Sequence, residues 1–294
     1  MVGEQVGVLA TLMGNDPKKE RDKINCLIIG ASGGMSDTIM LAQFDPNTGK
    51  ASLLSIPRDT KVDKPNTAFS KINAIYQGKH ADKLVSKVSE LTGVEIQYYV
   101  VVDTKALREM VDTVGGVYID VPINMDYDDP TQKLSIHIKK GAQVLDGKNA
   151  EGFVRFRHNN NGTGYPRQDL DRAEAQQAFI KALIDELLKP KNVVKIKDYI
   201  NIAFDNVKTN AKLSDVIEYI PDMVNFKTEN LTTATIPGST PPAQSTGGVS
   251  FFIANEKEME KLVKELFFAD ENSEEELDEE PEESEKDTEN KIKK

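Results

Sequence analysis

The sequence has few of the residues that form disulfides, metal centres or nucleophilic triads. Its 294 residues include one cysteine, three histidines and no tryptophan. The single cysteine, Cys26, excludes an intrachain disulfide, and the histidines (His80, His137 and His158) show no metal-ligand spacing. No run of about 18 apolar residues indicates a transmembrane helix. The composition therefore favours chemistry by positioned charges over chemistry by a nucleophile.

Negative charge is concentrated at the C-terminal end. Residues 270–294 contain thirteen acidic residues and four lysines, a net charge of −9 out of −11 for the whole chain. Like charges at this density, with almost no apolar residues, predict a disordered tail. Residues 1–269 carry only about −2. A nearly neutral domain does not favour general nucleic-acid binding, which depends on a broad basic surface.

Apolar periodicity predicts strands that alternate with helices. Pro46–Gly49 (PNTG) predicts a turn and hence a hairpin. The alternation indicates a layered α/β domain with a mixed sheet. We assign residues 1–23 to an N-terminal helix and linker, 24–269 to this domain and 270–294 to the tail. The predicted strands are 24–30, 38–45, 50–57, 96–103 and 117–123, and the predicted helices are 104–114 and 170–189.

The stretch VRFRHNNNGTGYPRQDLDR, residues 154–172, gathers four arginines in an acidic chain. An extended Val154–Arg157 would place Arg155 and Arg157 on one face, whereas a helix would separate them. We favour the extended form.

The helix that follows adds polar residues to this cluster. Arg172 and Gln176 are four residues apart and lie on one helix face. Asp169, three residues before Arg172, can cap the helix or orient that arginine. Guanidinium groups suit phosphate because their donors match two oxygens at once. The alternative is that the arginines only pair with the many nearby carboxylates.

Two further charged residues stand beside predicted strands. Arg58 closes the strand 50–57, a place where layered α/β domains commonly have a site, and Asp59 could simply pair with it. Asp37 precedes the strand 38–45, after a glycine loop that matches no nucleotide-binding motif. A carboxylate there could hold Mg²⁺ against phosphate oxygens or cap a turn.

Seven motifs, in order and with matching spacing over roughly residues 24–240, resemble the LytR-CpsA-Psr family. That resemblance implies a three-layer α/β/α sandwich. It also implies a membrane-anchored extracellular enzyme of a Gram-positive bacterium that transfers teichoic acid or capsule from a polyprenyl-pyrophosphate carrier to peptidoglycan. The motifs are SDTIML, LLSIPRDT, KINAIY, YYVVVD, VDTVGGVYIDVP, GAQVLDGKNAEGFVRFR and DLDRAEAQQ.

The resemblance also assigns roles to individual residues. It implies that arginines hold the pyrophosphate and perform the catalysis, that an aspartate binds Mg²⁺, and that further polar residues support them. The implied pyrophosphate ligands are Arg58, Arg155, Arg157, Arg172 and Gln176; the supporting residues are Lys71 and Asp169; the metal ligand is Asp37.

Two positions depart from the family pattern. Ser32 stands where the family usually has a second aspartate, so we expect Mg²⁺ to bind weakly unless pyrophosphate is present. Ala175 stands where family members often have an arginine, which removes one basic group.

The expected activity is an extracytoplasmic phosphotransfer, with pyrophosphate hydrolysis as a side reaction and no nucleic-acid partner. The general base is unassigned, and Asp37 qualifies only if it does not hold metal. We expect an apolar tunnel walled by strands 38–45 and 96–103 and by Phe179, Leu183 and Leu187, opening near Arg58 and Arg172. Two alternatives stay open. One is a non-catalytic binder of polyprenyl lipid or wall polymer, and the other is a nucleic-acid-binding attenuator, after an older name of the domain, cell-envelope-related transcriptional attenuator.

Overall fold

The computed structural model describes residues 21–32, 34–63, 66–223 and 226–269. The predicted acidic tail and most of the predicted N-terminal segment lie outside the described residues. The strands are β1 (Ile24–Ser32), β2 (Met35–Asp45), β3 (Lys50–Ser55), β4 (Tyr98–Asp103), β5 (Val117–Val121), β6 (Met125–Asp129), β7 (Leu134–Ile138), β8 (Gly141–Leu145), β9 (Val207–Thr209), β10 (Leu231–Thr235), β11 (Gly238–Ser239) and β12 (Ile253–Ala254).

Helices connect and cover these strands. They are α1 (Asn73–Tyr76), α2 (Ala81–Thr92), α3 (Thr104–Val114), α4 (Gly147–Arg155), α5 (Asp169–Leu187), α6 (Pro190–Val193), α7 (Ile196–Asn206), α8 (Leu213–Met223) and α9 (Glu256–Phe267). Short 3₁₀ turns occupy Ala68–Ser70, Thr228–Asn230 and Ala243–Thr246. Within the described part of the chain, no helix is both long and apolar enough to cross a lipid bilayer.

A mixed sheet forms the middle layer. Within the described residues its six strands run in the order β10-β3-β2-β1-β4-β9. β1, β2 and β3 are antiparallel neighbours, which confirms the predicted hairpin at the PNTG turn. β4 runs parallel to β1 and β10 parallel to β3.

One face of the sheet carries a densely packed core. Leu27 and Ile29 of β1 and Leu41 of β2 are fully buried or nearly so, and α2 and α9 pack against them through Leu84 and Phe267. Because side chains alternate along a strand, these residues account for only one face of β1 and β2.

The opposite face is covered without being closely packed. Cys26 and Ile28 on β1 and Val100 and Val102 on β4 belong to this face and are only half-buried, although their strands lie inside the sheet. They line a cavity of about 470 Å³ that α3, α5, α7 and α8 cover. We call it the apolar cavity. Helices on both faces of a mixed sheet confirm the predicted three-layer α/β/α fold.

A second core lies beside the sheet and supports the helices that carry the arginines. The antiparallel pairs β5–β8 and β6–β7 pack with α3, α4 and α5. Val117, Ile136, Phe153 and Phe179 are buried in this cluster. Phe153 precedes Arg155 on α4, so the packing of this core fixes the position of that arginine.

The predicted extended conformation of Val154–Arg157 is wrong for its first half. α4 continues to Arg155, and the chain leaves the helix at Phe156, with φ −58° and ψ 138°. The Asp146 side chain begins the helix by accepting a hydrogen bond from the Asn149 amide at 2.8 Å. A capping aspartate and the apolar spacing Ala150–Phe153 outweigh four residues of local alternation.

Gly147, the first residue of α4, lies against α3 so closely that a Cβ would come 2.4 Å from the Arg108 carbonyl oxygen. Gly147→Ala should therefore lower the free energy of unfolding by about 1–3 kcal/mol through overpacking. Thermal unfolding would measure this, with the exposed neighbour Lys148→Ala as the control. Equal melting temperatures of the two variants would contradict a close contact between α3 and α4.

Candidate functional site

Arg155 ends α4 and is held by two partners. Its Nη1 donates to Glu151 Oε1 at 2.7 Å, one helical turn earlier, and its Nη2 donates to Gln132 Oε1 at 2.8 Å. Glu151 is buried and also contacts Arg108, whose Nε lies 3.3 Å from Glu151 Oε2. The guanidinium of Arg155 is thus fixed in direction before any ligand binds.

Arg58 follows β3 and pairs with an aspartate on the neighbouring strand. Its Nη1 donates to Asp37 Oδ1 at 2.6 Å. Asp37 lies within β2, so it is a strand residue rather than a turn cap. Asp59 pairs more closely with Lys71, 3.0 Å away, and its carboxylate also lies 4.0 Å from Arg58 Nε, at the limit of an ion pair.

Arg157 and Arg172 differ from these arginines because they lack a paired acid. No carboxylate of the described chain lies within ion-pair distance of either guanidinium. Arg172 is only 6% exposed, and its Nε is buried without a hydrogen-bond partner among the described residues. An unpaired buried guanidinium is chemically suited to an anion, since a bound anion would supply the missing acceptors.

Burial, with a smaller contribution from the charges of Arg58 and Arg157, lowers the pKa of Arg172 to about 10, against the opposing effect of Asp37 and Asp169. The side chain therefore still carries its proton at neutral pH. Desolvation is the leading cause, and it acts by disfavouring the charged form. A bound phosphate would reverse part of this effect because an opposite charge nearby favours the protonated guanidinium.

These arginines converge on a polar pocket of about 150 Å³, which we call the arginine pocket. It adjoins the apolar cavity, and three residues line both spaces: Asp37, Arg155 and Arg172. The residues that line the arginine pocket are Asp37, Arg58, Tyr127, Gln132, Leu134, Arg155, Arg157, His158 and Arg172.

The other predicted site residues lie around this pocket rather than in it. Gln176 is buried and lines the apolar cavity, where its Nε2 donates to the Val154 carbonyl at 2.9 Å. Lys71 neutralises Asp59. Asp169 is the first residue of α5 and is half-buried. Arg167 is exposed and pairs with Asp171 and Glu174, as the alternative of simple ion pairing anticipated.

Sequence reasoning missed the hairpin β6–β7, whose residues Tyr127, Gln132 and Leu134 form one wall of the arginine pocket. The Asp129–Pro130 turn between two short runs is a hairpin signal. That signal places the two strands beside each other but does not show that their tips reach the arginines.

The predicted tunnel walls are partly confirmed. β4, Phe179 and Leu183 line the apolar cavity, and the cavity reaches Arg172. β1 rather than β2 forms the second strand wall, because β2 contributes only Asp37 and Thr38. Arg58 lies in the adjoining arginine pocket, and Leu187 packs into the second core.

A profile of the LytR-CpsA-Psr family matches residues 4–267, which is most of the chain. The chain belongs to the LytR-CpsA-Psr family. Two curated relatives are named polyisoprenyl-teichoic acid–peptidoglycan teichoic acid transferases. TagV of Bacillus subtilis is 30% identical over 210 residues, covering 70% of this chain and 52% of TagV. TagU of Oceanobacillus iheyensis is 28% identical over 266 residues, covering 86% of this chain and 78% of TagU. The chain thus spans about half the length of TagV.

Solved structures share this fold. The crystal structure of B. subtilis TagV has a TM-score of 0.69 and 27% identity, and the match covers 90% of this chain and 100% of that one. A structure of TagT bound to LI-WTA has a TM-score of 0.64 and 25% identity, covering 85% of this chain and 91% of TagT.

Of the two positions that depart from the LytR-CpsA-Psr pattern, one is described in full. Ala175 is buried in the second core beside Phe179 and lines neither the apolar cavity nor the arginine pocket. The side chain of Ser32 lies outside what the structure describes. Among the described residues, no group of three or more metal-ligating side chains occurs.

Paired and unpaired arginines should respond differently to substitution. Arg172→Met should leave the free energy of unfolding unchanged or raised, since it removes a buried charge with no acid partner. Arg155→Met should lower it by about 1–3 kcal/mol because buried Glu151 loses a hydrogen-bond donor. Thermal unfolding measures both changes, and calorimetry should show that Arg172→Met no longer binds inorganic pyrophosphate. A large fall in melting temperature for Arg172→Met would mean that the arginine is a structural ion pair.

Proposed function

We propose that this protein transfers an anionic glycopolymer, of the teichoic acid or capsular type, from a polyprenyl-pyrophosphate carrier to peptidoglycan. The observation that carries the proposal is the junction of the apolar cavity with the arginine pocket at Asp37, Arg155 and Arg172. A ligand that fills both spaces has a long apolar tail joined to a group rich in phosphate oxygens. The names of TagV and TagU agree with this chemistry.

The tail of such a carrier would remove apolar surface from water. The cavity volume of about 470 Å³ lies within the usual range of ligand sites, roughly 300–1,000 Å³. Burial of apolar area contributes about 25 cal/mol per Å², which gives the lipid an advantage over soluble diphosphates.

The transfer step requires charge neutralisation more than covalent help from the protein. In the proposed reaction a sugar hydroxyl attacks the phosphorus next to the polymer, and polyprenyl phosphate leaves. Arg58, Arg155, Arg157 and Arg172 would hold the phosphate oxygens and neutralise the charge on the leaving group. Each charge-assisted contact is worth about 1.5–3 kcal/mol. Attack by water in place of the sugar would give the pyrophosphatase side reaction.

Mg²⁺ fits this site as a partner of the ligand. Asp37 is the one carboxylate that lines the arginine pocket within the described chain, and Arg58 already contacts it. Mg²⁺ commonly uses one or two carboxylates together with phosphate oxygens. Asp37 would hold the ion only with the pyrophosphate in place, and the ion would neutralise phosphate charge there.

The proposal also sets the cellular location. A carrier with a polyprenyl tail lies in a membrane and peptidoglycan lies outside it. The protein would therefore act, anchored to the membrane, at the extracellular face of the cytoplasmic membrane of a Gram-positive bacterium.

Cys26 reports directly on the apolar cavity because it is the only cysteine and lines that cavity. Burial raises the pKa of its thiol to about 12, so labelling by methyl methanethiosulfonate at pH 8 should be slow. Geranylgeranyl pyrophosphate should slow it further, whereas inorganic pyrophosphate should not. Mass spectrometry measures the labelled fraction, and Cys26→Ser is the blank. A labelling rate that geranylgeranyl pyrophosphate does not change would mean that the tail binds outside the apolar cavity.

The activity itself is tested with a synthetic polyprenyl-pyrophosphate-linked polymer and uncross-linked peptidoglycan. The expected products are polymer-linked peptidoglycan and polyprenyl phosphate, and EDTA should suppress both. Arg157→Ala should reduce turnover by about tenfold or more, as expected for the loss of one charge-assisted contact. Tight binding of the lipid without release of polyprenyl phosphate would favour the non-catalytic binder. Steeply salt-dependent DNA binding would favour the attenuator.

A further inference from the structure

A third cavity lies beside the arginine pocket and is not used in the reaction described above. Its volume is about 350 Å³, and the loop that connects α4 to α5 forms most of its wall. We call it the loop chamber. Its lining residues are Arg157, His158, Gly162, Gly164, Tyr165, Pro166, Gln168, Asp169 and Arg172.

The loop chamber and the arginine pocket meet at the two unpaired arginines. Arg157, His158 and Arg172 line both spaces, whereas only Arg172 also lines the apolar cavity. Phosphate oxygens held by Arg157 and Arg172 would therefore be accessible from the loop chamber. The apolar cavity borders this chamber only at Arg172.

The loop is fixed closely against the arginines. Gly164 forms a bridge with His158, and a Cβ on Gly164 would come 2.8 Å from the Arg157 carbonyl oxygen. Tyr165 is buried, with its ring edge-on to Phe156 at a centroid distance of 5.6 Å. Its hydroxyl has no hydrogen-bond partner among the described residues. The packing of Gly164 and Tyr165 thus fixes this wall of the chamber.

Gln168 is held in a strained backbone conformation at the mouth of α5. Its φ is 48° and its ψ is −116°, a region that glycine tolerates and other residues rarely adopt. The side chain makes no capping hydrogen bond to the helix and lines the chamber. Glycine would relieve the strain, so a glutamine at this position lowers the stability of the fold.

Asp169 supplies the one carboxylate that lines the chamber within the described residues. It is half-buried, forms none of the ion pairs seen in the described chain, and lies near enough to Arg172 to influence its pKa. An unpaired carboxylate beside a phosphate site is placed to accept a proton.

We propose that the loop chamber is the acceptor subsite, where Gln168 contacts the sugar of the glycan acceptor and Asp169 takes the proton from its attacking hydroxyl. This inference rests on the transferase function proposed above. In phosphoryl transfer the attacking and leaving oxygens lie roughly in line across the phosphorus. The leaving polyprenyl phosphate lies toward the apolar cavity, so the hydroxyl must approach from another side, and the loop chamber provides that approach.

The step balances without any further reactant. A bond forms between the sugar oxygen and the phosphorus that carries the polymer, and the bond from that phosphorus to the bridging oxygen breaks. The bridging oxygen leaves with its electron pair as part of polyprenyl phosphate. The hydroxyl proton passes to the Asp169 carboxylate and then to water or to the leaving phosphate.

Gln168→Gly separates this role from a structural one. The acceptor would be a soluble peptidoglycan tetrasaccharide and the donor a short-chain polyprenyl pyrophosphate that carries one sugar. We expect the melting temperature to rise by about 2–4 °C as strain is relieved. The KM for the tetrasaccharide should rise about fivefold to tenfold, with the KM for the donor unchanged.

Lys133→Gly is the matched control. Lys133 also has a positive φ, 51°, but it lies in the exposed turn between β6 and β7 and lines none of the three cavities. Lys133→Gly should raise the melting temperature without changing the KM for the tetrasaccharide or the KM for the donor. Asp169→Asn should reduce kcat for transfer by about 100-fold or more, and the donor KM should be unchanged or lower.

The outcomes separate this inference from the function on which it rests. Suppose that the wild-type protein transfers the polymer, but Gln168→Gly keeps the wild-type KM for the acceptor and Asp169→Asn keeps the wild-type kcat. That result would overturn the acceptor subsite and leave the proposed transferase function standing. Absence of transfer by the wild-type protein would remove both. Calorimetric titration of the tetrasaccharide into protein filled with geranylgeranyl pyrophosphate gives a reading independent of turnover, and equal affinity in wild type and Gln168→Gly would also overturn the subsite.

Discussion

Arg172 carries a buried positive charge that no carboxylate of the described chain pairs with, and much of the surrounding structure serves to hold it there. α5 brings it inside by packing Ala175 and Phe179 into the second core, while Gln176 fixes α5 to the end of α4 through the Val154 carbonyl. A buried guanidinium with an unsatisfied Nε destabilises the unliganded protein. The same deficit becomes binding energy when an anion supplies the missing acceptors.

The apolar cavity is a second departure from close packing, and it adjoins the first. Protein interiors normally leave few voids, and a cavity costs stability because its lining loses contacts. Here the cost is offset by the opposite face of the sheet, where Leu27, Ile29 and Leu41 are packed against α2 and α9. The two faces of β1 therefore have different tasks: one holds the fold together, and the other stays available to an apolar ligand.

Local signals in the sequence were sufficient for α3, because Asp103 caps its start and Gly115 ends it, and for the hairpin of β2 and β3. They failed at Val154–Arg157, where the start of the helix lies eight residues upstream at Asp146. They also could not separate β1 from β2 as a cavity wall, because both strands are apolar on both faces. The pairing of Lys71 with Asp59 and the approach of Gln132 to Arg155 depend on tertiary contacts, which no spacing along the chain records.

The division of the arginines into paired and unpaired groups has a physical reason. Four unpaired guanidinium groups around one small pocket would repel one another and would be hydrated or displaced in the empty protein. Asp37 and Glu151 prevent this for Arg58 and Arg155, because each carboxylate fixes one guanidinium in direction and offsets its charge while other N–H groups stay available. Arg157 and Arg172 then supply the uncompensated charge that favours an anion. Preorganised donors of this kind need no reorganisation when phosphate charge develops. Lysine could not replace the paired or the unpaired arginines equally well. It lacks the planar guanidinium, whose several N–H groups can contact a carboxylate and a phosphate at the same time.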